Sequence, residues 1–327
     1  MASPPQKSIR SITPDAVVLR RPHFFHSVLH NIAVYGGAVL IARSKKKRTR
    51  GPGLLGRLLA LLPASCALFY PLYCAQQLTV DRQTYVSAAL PAPFSGLTIT
   101  YLSDIHYGTF FSEDRVRSLV KTVNDLGSDL ILLGGDYGET SQGALDFWAL
   151  HPGFSAPMGV FAVAGNHDRT PPERNLRLLR ESMEADGVTP LINDVTCLMR
   201  SDATLALAGV DDFYNGHPDL KHVIKECATA DFTIFLPHTP DILPECAAFE
   251  GFFDLALCGH THGGQVAIGG RPLLSSSRYG NRYVQGWLRE SGGDVFISPG
   301  VGVSGLPVRL GTRAQIHQIT LYTAVNP

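Results

Sequence analysis

Five short apolar runs, each followed by polar side chains that can bind metal ions, constrain the fold of this 327-residue chain most strongly. Each run is bounded by turn residues, as is typical of a buried strand. The runs lie at residues 97–102, 130–133, 160–164, 232–236 and 253–257. Amphipathic helices are predicted between several of them, one with Ser112 as its N-cap and another over about residues 173–183. Strands that alternate with helices predict an α/β layered domain. Three further runs, at residues 205–210, 294–298 and 315–322, would complete two packed sheets.

The candidate metal ligands follow these strands directly. They are Asp104, His106, Asp136, Asn166, His238, His260 and His262. Ligands of open α/β sheets collect at the carboxyl ends of the strands. The residues that directly follow the five strands, called the strand exits below, are therefore expected to meet at one place. Alternate side chains of an extended segment share a face, so Asp104 and His106 are expected to point at one ion. The same spacing separates His260 from His262, so these two side chains are also expected to be able to point at one ion. A single Asp-x-His is common, and a lone histidine such as His238 is more often a core residue than a ligand. Gly-Asn-His-Asp and Gly-His-Thr-His are strong signals individually, and the ordered set as a whole carries the hypothesis.

This ordered set resembles the calcineurin-like metallophosphoesterase superfamily over roughly residues 97–322. The motifs are Asp104-x-His106, Gly135-Asp136, Gly165-Asn166-His167-Asp168, His238 and Gly259-His260-x-His262. The resemblance implies an α/β (α+β) fold of four layers, an αββα sandwich. It implies that one metal is held by Asp104, His106, Asp136 and His262, and a second by Asp136, Asn166, His238 and His260. It also implies that His167 protonates the leaving oxygen or stabilises the transition state, with Asp168 orienting its imidazole.

Two divalent ions would activate water and stabilise the charge that develops on the phosphoryl oxygens. Carboxylate, amide and imidazole ligands suit Mn, Fe or Zn better than Ca, so we expect Mn, with Fe, Zn or Mg as alternatives. The sequence contains no Gly-x-Ser-x-Gly elbow that would point to a serine nucleophile. The six cysteines include no Cys-x-x-Cys pair, and we expect all of them to be reduced.

Further motifs are similar to a membrane-associated, YaeI-like branch of the superfamily. They are Gly259-His260-Thr261-His262-Gly263-Gly264-Gln265, Tyr279-Gly280-Asn281-Arg282-Tyr283 and Gly305-Leu306-Pro307-Val308-Arg309. Similar proteins in chlamydiae hydrolyse UDP-2,3-diacylglucosamine during lipid A synthesis. The resemblance implies the products UMP and 2,3-diacylglucosamine 1-phosphate (lipid X). Arg282 and Arg309 are candidate phosphate or uridine contacts, because a guanidinium matches phosphate geometry; the alternative is that they brace loops.

Two departures limit this resemblance. Protein phosphatases of the superfamily have Asp-Arg-Gly where this chain has Tyr137-Gly138-Glu139. The widespread proteobacterial UDP-diacylglucosamine hydrolases have Arg where this chain has His167. The specificity of neither subgroup therefore transfers directly.

The N-terminal region predicts membrane attachment. Lys and Arg total 28 and Asp and Glu total 28, so the net charge of +0 argues against a nucleic-acid partner, yet much of the positive charge precedes residue 51. Residues 58–75 approach the roughly 20 apolar residues that span a bilayer, and residues 22–42 suit an interfacial helix. We therefore expect a basic, membrane-attached region at 1–80 and a catalytic domain at 95–327. The alternative is a pair of helices buried against the soluble domain.

We expect a bacterial inner-membrane protein whose catalytic domain faces the cytoplasm, with a nucleotide-sugar lipid as substrate and no protein partner. Six aromatic residues near the site could receive acyl chains, with core packing as the alternative. They are Phe110, Phe111, Phe147, Trp148, Phe213 and Tyr214. Two other functions remain open: a general membrane-associated phosphodiesterase, and a non-catalytic metal-binding scaffold, which would be expected to lack a catalytic residue.

Overall fold

The computed structural model describes residues 65, 67, 69–169, 172–249 and 251–324, with only the backbone described at 172–175. A helix, α1, covers residues 69–76 and precedes the first strand. The predicted interfacial segment at 22–42, and residues 58–64, 66 and 68 of the predicted spanning segment, lie outside the described residues. Within the described ranges, no helix combines the length and the apolar character needed to cross a bilayer.

Two six-stranded sheets, a two-stranded hairpin and five further helices follow. The strands are β1 (Leu78–Ser87), β2 (Thr98–Leu102), β3 (Leu130–Leu133), β4 (Val160–Ala162), β5 (Thr189–Pro190), β6 (Asp194–Arg200), β7 (Ala203–Gly209), β8 (Phe232–Leu236), β9 (Leu255–Cys258), β10 (Ala267–Ile268), β11 (Arg271–Pro272), β12 (Gly286–Glu290), β13 (Gly293–Ile297) and β14 (Ala314–Thr323). The helices are α2 (Glu113–Asp125), α3 (Ser141–Ala149), α4 (Pro172–Ala185), α5 (Leu220–Cys227) and α6 (Leu243–Cys246).

The first sheet has the strand order β1-β14-β2-β3-β4-β5, and the second has the order β12-β13-β9-β8-β7-β6. Strands β2 to β5 are parallel to one another, as are β13, β9, β8 and β7. The candidate ligands therefore leave each sheet at a single edge, where the parallel strands end.

Three apolar clusters show how the layers are stacked. Leu119 of α2 and Trp148 of α3 pack with β3 on the outer face of the first sheet. Ile99 and Ile234 belong to a second cluster, which fills the space between the two sheets. Val223 of α5 belongs to a third cluster on the outer face of the second sheet. The order is helices, sheet, sheet, helices, which agrees with the predicted αββα sandwich.

Helix α2 begins where the sequence predicts, directly after Ser112, and it buries the predicted apolar face. The Ser112 side chain makes no capping hydrogen bond, so the helix start depends on the acidic first turn and on packing. Helix α3 was not predicted, although Thr140 caps it by accepting a hydrogen bond from the backbone N–H of Gly143 at 3.1 Å.

Strand β1 was also not predicted. It pairs in parallel with β14, with Leu78 opposite Ala314, so the first sheet begins at Leu78. Among the described cysteines all five are free, as predicted, and Cys66 lies outside the described residues.

Candidate metal centre

The five predicted strand exits meet at one site. The first group of side chains comprises Asp104, His106 and His262, which follow β2 and β9. The Nε2 atoms of His106 and His262 lie 3.0 Å apart, and His262 Nε2 lies 3.6 Å from Asp104 Oδ1. All three residues are buried. This group brings two imidazoles and one carboxylate around a common point.

The second group comprises Asp136, His238 and His260, with Asn166 beside them. His238 Nε2 lies 3.2 Å from Asp136 Oδ2, and His260 Nδ1 lies 2.9 Å from Asn166 Oδ1. Four strand exits therefore contribute to this group, those of β3, β4, β8 and β9.

Asp136 connects the two groups. Its Oδ2 atom lies 3.6 Å from His106 Nε2 and 3.2 Å from His238 Nε2. Its other oxygen, Oδ1, accepts a hydrogen bond from the backbone N–H of His167 at 2.8 Å. One carboxylate oxygen thus faces a histidine of each group.

The tautomer of His238 tests whether a cation fits here. Its Nδ1 lies 2.7 Å from the carbonyl oxygen of Gly134, which can only accept, so Nδ1 carries a proton. In the neutral ring Nε2 is then an acceptor, and it faces the acceptor oxygen of Asp136. Burial disfavours a charge on His238, but Asp136 outweighs burial and raises its pKa well above the usual value. The raised pKa means that a positive charge is favoured between His238 Nε2 and Asp136 Oδ2. A divalent cation would take the same position, so the residues present fit a metal.

The other imidazoles are held neutral, which is the form that binds metals. Burial lowers the pKa of His106 to about 3 and that of His260 to about 4. Burial also lowers the pKa of His262 well below its ordinary value, with the neighbouring His106 adding to the effect. Burial raises the pKa of Asp104 to about 6. Burial alone would raise the pKa of Asp136, but the charge of His238 and its hydrogen bond hold that pKa well below the usual range.

The predicted alternation of side chains in extended segments is wrong for these ligands, and His260 and His262 lie in different groups instead of at one ion. Asp104 and His106 have φ angles of 56° and 50°, and His260 and His262 have φ angles of 70° and 52°. Asp136 is also left-handed, with φ of 57°. The strands have ended at these positions. Tight turns, and not the side-chain alternation of a strand, therefore orient these ligands. Such backbone costs on the order of 1–3 kcal/mol per residue and clusters at functional sites.

Two glycines are required for this geometry. A Cβ atom on Gly165 would lie 2.2 Å from Asp136 Oδ1, and a Cβ atom on Gly135 would lie 2.7 Å from the Gly165 nitrogen. Gly135 also has a φ of 91°, which side chains rarely adopt. The absence of side chains at these positions lets the exits of β3 and β4 approach each other.

His167 lies beside the first group, with its ring centroid 4.8 Å from that of His106. The predicted role of Asp168 in orienting this imidazole is wrong. The Asp168 carboxylate instead accepts backbone N–H groups from Asp136, Tyr137 and Gly165 at 2.7 to 2.8 Å, and it braces the turns that carry the ligands. The His167 Nδ1 atom lies 2.9 Å from the carbonyl oxygen of Glu139 and donates to it. Sequence reasoning could not find this partner, because a backbone carbonyl leaves no side-chain signal.

Arg309 does not reach a substrate, contrary to one prediction. It is fully buried and donates hydrogen bonds to the carbonyl oxygens of Pro299 and Gly302, each at 2.6 Å. The loop-bracing alternative is therefore correct for Arg309. Arg282 is exposed, but its guanidinium makes two hydrogen bonds to the Glu290 carboxylate, at 2.9 and 2.6 Å.

Replacing Arg309 with methionine should lower the free energy of unfolding by several kcal/mol, because each buried carbonyl left without a donor costs about 1–3 kcal/mol. The KM of the folded fraction should not change. Urea unfolding followed by circular dichroism, with Arg289→Met on exposed β12 as control, measures the effect. A raised KM at unchanged stability would instead support substrate contact.

Of the six aromatic residues predicted to receive acyl chains, three lie in the core on the helix side of the first sheet. These are Phe111, Phe147 and Trp148. Phe213 is partly buried against the third cluster. Tyr214 is partly exposed, and its ring centroid lies 5.4 Å from that of His260. Only Tyr214 of these five is therefore both accessible and next to a candidate ligand; Phe110 is partly buried.

Arg278 is a functional candidate that the sequence did not reveal. Its guanidinium lies 4.7 Å from the ring centroid of Phe213 and 5.3 Å from that of Tyr214. The buried Asp241 carboxylate accepts the backbone N–H of Arg278 at 2.8 Å and also a hydrogen bond from the Tyr214 hydroxyl. Arg278 Nε lies 3.7 Å from Oδ2 of the same Asp241 carboxylate, and about half of the Arg278 side chain stays exposed. The network holds a cation close to the His260 side of the centre.

Two sheets between helix layers, with buried or partly buried carboxylate, amide and imidazole side chains grouped at the strand ends, are typical of a metal-dependent hydrolase. The chain belongs to the calcineurin-like phosphoesterase family, whose pattern matches residues 97–264. It is accordingly a metal-dependent phosphoester hydrolase.

Several relatives are similar over most of the catalytic domain. Phosphodiesterase YaeI of Escherichia coli (strain K12) is 31% identical over 240 residues, which is 70% of this chain and 83% of that protein. The uncharacterized metallophosphoesterase YkuE of Bacillus subtilis (strain 168) is 27% identical over 275 residues, 82% of this chain and 95% of that protein. A zebrafish (Danio rerio) transmembrane protein with metallophosphoesterase domain is 28% identical over 315 residues, 92% of this chain and 70% of that protein.

Proposed function

We propose that this protein hydrolyses the pyrophosphate bond of UDP-2,3-diacylglucosamine, releasing UMP and lipid X, at a centre of two divalent cations. The observation that carries the dinuclear centre is the shared carboxylate: Asp136 Oδ2 faces His106 Nε2 at 3.6 Å and His238 Nε2 at 3.2 Å. Asp104, His106, Asp136 and His262 would hold one cation. Asp136, Asn166, His238 and His260 would hold the other. Mn is the proposed metal, with Fe, Zn or Mg as alternatives, because the ligands mix oxygen and nitrogen.

The cations, when bound, would activate water and stabilise the charge on the phosphoryl oxygens. The chain's own residues then position and protonate. His167 Nδ1 is committed to the Glu139 carbonyl, so only Nε2 can serve the reaction. Donating a proton from Nε2 requires the imidazolium form, because the neutral ring already carries its proton on Nδ1. We propose that His167, in this form, protonates the leaving oxygen through Nε2.

Several features support a lipid-linked nucleotide as substrate. The motifs after β9 resemble those of the YaeI-like branch, and the sequence before residue 76 contains long uncharged apolar runs. One relative is named as a transmembrane protein. A substrate with its acyl chains in the bilayer and its pyrophosphate at the surface fits an enzyme attached to the cytoplasmic face of a bacterial inner membrane. Tyr214 and Arg278 offer an aromatic ring and a cation for the nucleotide part.

The test is incubation of the purified protein and Mn with UDP-2,3-diacylglucosamine, followed by mass spectrometry of the products. Release of UMP and lipid X, absent with Asp136→Ala, supports the proposal. Hydrolysis of bis-p-nitrophenyl phosphate without any UMP release would reject this substrate but keep the second candidate, a phosphodiesterase acting on another phospholipid or nucleotide. The phosphodiesterase name of the relative YaeI favours that candidate.

Replacing Arg278 with alanine should raise the KM for UDP-2,3-diacylglucosamine about tenfold or more with little change in kcat, because one charge-assisted hydrogen bond to phosphate is lost. Arg282→Ala is the matched control: it removes an exposed arginine of the same loop that is already paired with Glu290. Initial rates over a substrate series measure both. A larger effect for Arg282 than for Arg278 would restore Arg282 as the phosphate contact.

A further inference from the structure

Large apolar side chains are exposed on three elements next to the metal centre. These elements are helix α1, the hairpin β10–β11 with the residues after it, and the loop at 303–308. We name the following side chains the apolar rim: Phe69, Tyr73, Ile268, Leu273, Leu274 and Leu306. Leu274 is 81% exposed and Leu306 is 66% exposed. Single exposed apolar residues are ordinary, but a group on connected elements marks an interaction surface.

Hydrogen bonds connect these elements to one another and to the centre. The backbone N–H of Arg309 donates to the carbonyl of Pro71 in α1 at 3.0 Å. The Gln265 side chain donates to the Ser304 carbonyl at 3.0 Å and accepts from the Ser304 N–H. Gln265 itself donates its backbone N–H to the carbonyl of the ligand His262 at 3.0 Å. The rim therefore belongs to the same continuous set of loops as the centre.

The charge of this part of the chain favours an anionic surface. Neither residues 255–289 nor residues 295–327 contain any Asp or Glu. Arg271 lies in the hairpin between Ile268 and Leu273, and both Arg271 and Arg313 are exposed. Arg313 also lines a groove with the rings of Tyr70 and Tyr73. Exposed apolar groups flanked by arginines, on stretches of sequence without Asp or Glu, match the acyl boundary and the phosphate layer of an anionic bilayer.

The position of the N-terminal sequence also points to a lipid bilayer as the partner of the rim. The apolar run at residues 58–75 includes most of α1, which carries Phe69 and Tyr73 of the rim. Several Lys and Arg residues precede that run at 43–50. If this apolar segment enters lipid, the chain emerges from the bilayer at the rim.

We propose that the apolar rim docks onto an anionic phospholipid bilayer and that the hairpin after β9 inserts Leu273 and Leu274 at the acyl boundary. Docking would place the loops of the metal centre at the lipid phosphates. The inference rests on the proposed function for its purpose, since a lipid-anchored substrate would then reach the centre without leaving the membrane. It makes the hairpin a second membrane contact besides the N-terminal region.

The test uses the full chain with a reporter at the rim, so that attachment through the N-terminal region does not affect the reading. Leu274→Trp is compared with Met199→Trp, which places the same reporter on β6 at a residue that is 71% exposed. Each variant is mixed with vesicles of phosphatidylcholine and phosphatidylglycerol, with or without brominated phosphatidylcholine. The wild-type emission of Trp148 and Trp287 is subtracted.

We expect the emission of the tryptophan at 274 to shift to shorter wavelength and to be quenched by brominated lipid, while that at 199 is unaffected. Adding Arg271→Glu to Leu274→Trp should lower the ratio of docked to undocked protein about thirtyfold, because two units of charge are changed at an anionic surface. Hydrolysis of soluble bis-p-nitrophenyl phosphate should be unchanged in both variants, which shows that the site is intact.

Equal quenching at 274 and 199, or none at 274, would overturn the proposal. A short-wavelength emission at 274 without vesicles that brominated lipid does not quench would also overturn it, because the rim is then covered by residues 1–64 of the chain or by a second copy. The fluorescence is measured without substrate. Failure to release UMP therefore rejects the proposed substrate and leaves this result independent.

Discussion

Replacing Asp136 with alanine should lower kcat/KM by at least about a thousandfold and should remove bound metal, because both groups of ligands depend on this carboxylate. Its Oδ2 atom faces His106 and His238 together, so this carboxylate is common to the two groups. Activity is measured on bis-p-nitrophenyl phosphate, which needs no substrate assignment. Metal content is measured by mass spectrometry of the dialysed protein.

His238→Ala is a graded comparison for this prediction. It removes a ligand of the second group only, so it should retain the metal of the first group while Asp136→Ala loses both. Asp136→Asn preserves the side-chain shape and the acceptor for the His167 N–H, which separates loss of charge from loss of folding. Full metal content in Asp136→Ala, with an unchanged melting temperature, would refute the shared-carboxylate centre.

Replacing His167 with alanine should lower kcat about 10²–10⁴-fold on substrates with a poor leaving group, and far less on p-nitrophenyl esters, whose leaving oxygen needs no proton. The reason is the fixed ring: Nδ1 donates to the Glu139 carbonyl, and Nε2 is left to serve the substrate. A series of phosphodiesters with leaving groups of increasing pKa measures this, and the slope of log kcat against that pKa should become steeper in the variant.

Glu139→Gln is the matched control for His167. It alters the side chain but leaves the backbone carbonyl that orients the imidazole, so kcat should stay within a few-fold of the wild-type value. A uniform loss of rate in His167→Ala across all leaving groups would contradict proton donation. It would assign His167 to binding or to stabilising charge in the transition state instead.

The buried strands could be read from the sequence because burial on both faces leaves a continuous apolar run. The predicted bounds of β3 and β8 agree with the structure to the residue. The edge strands β6 and β12, and β1 at the end of the first sheet, carry polar residues and have no such run. Strand β1 pairs with β14, far away in the sequence, so no local pattern could reveal it.

The sequence predicted the identity of the candidate ligands, but it did not predict the backbone geometry that orients their side chains. All seven side chains meet, because the ends of parallel strands converge. The extended geometry assigned to the pairs around Ile105 and Thr261 was wrong, since left-handed turns direct those side chains. The roles given to Asp168 and Arg309 failed for a related reason. Both side chains hydrogen-bond to backbone groups of the loops around them, and a sequence does not show which backbone groups need a partner until the loops are in place.

The sequence alone therefore determined the family, the layered α/β architecture and the chemical nature of the site, because these depend on residue types and on their order along the chain. The tertiary structure decided which oxygen of Asp136 faces both groups, which carbonyl orients His167 and which arginine lies beside Tyr214. These relations depend on turn geometry and on contacts between distant segments, and they exist only when the two sheets have packed against each other.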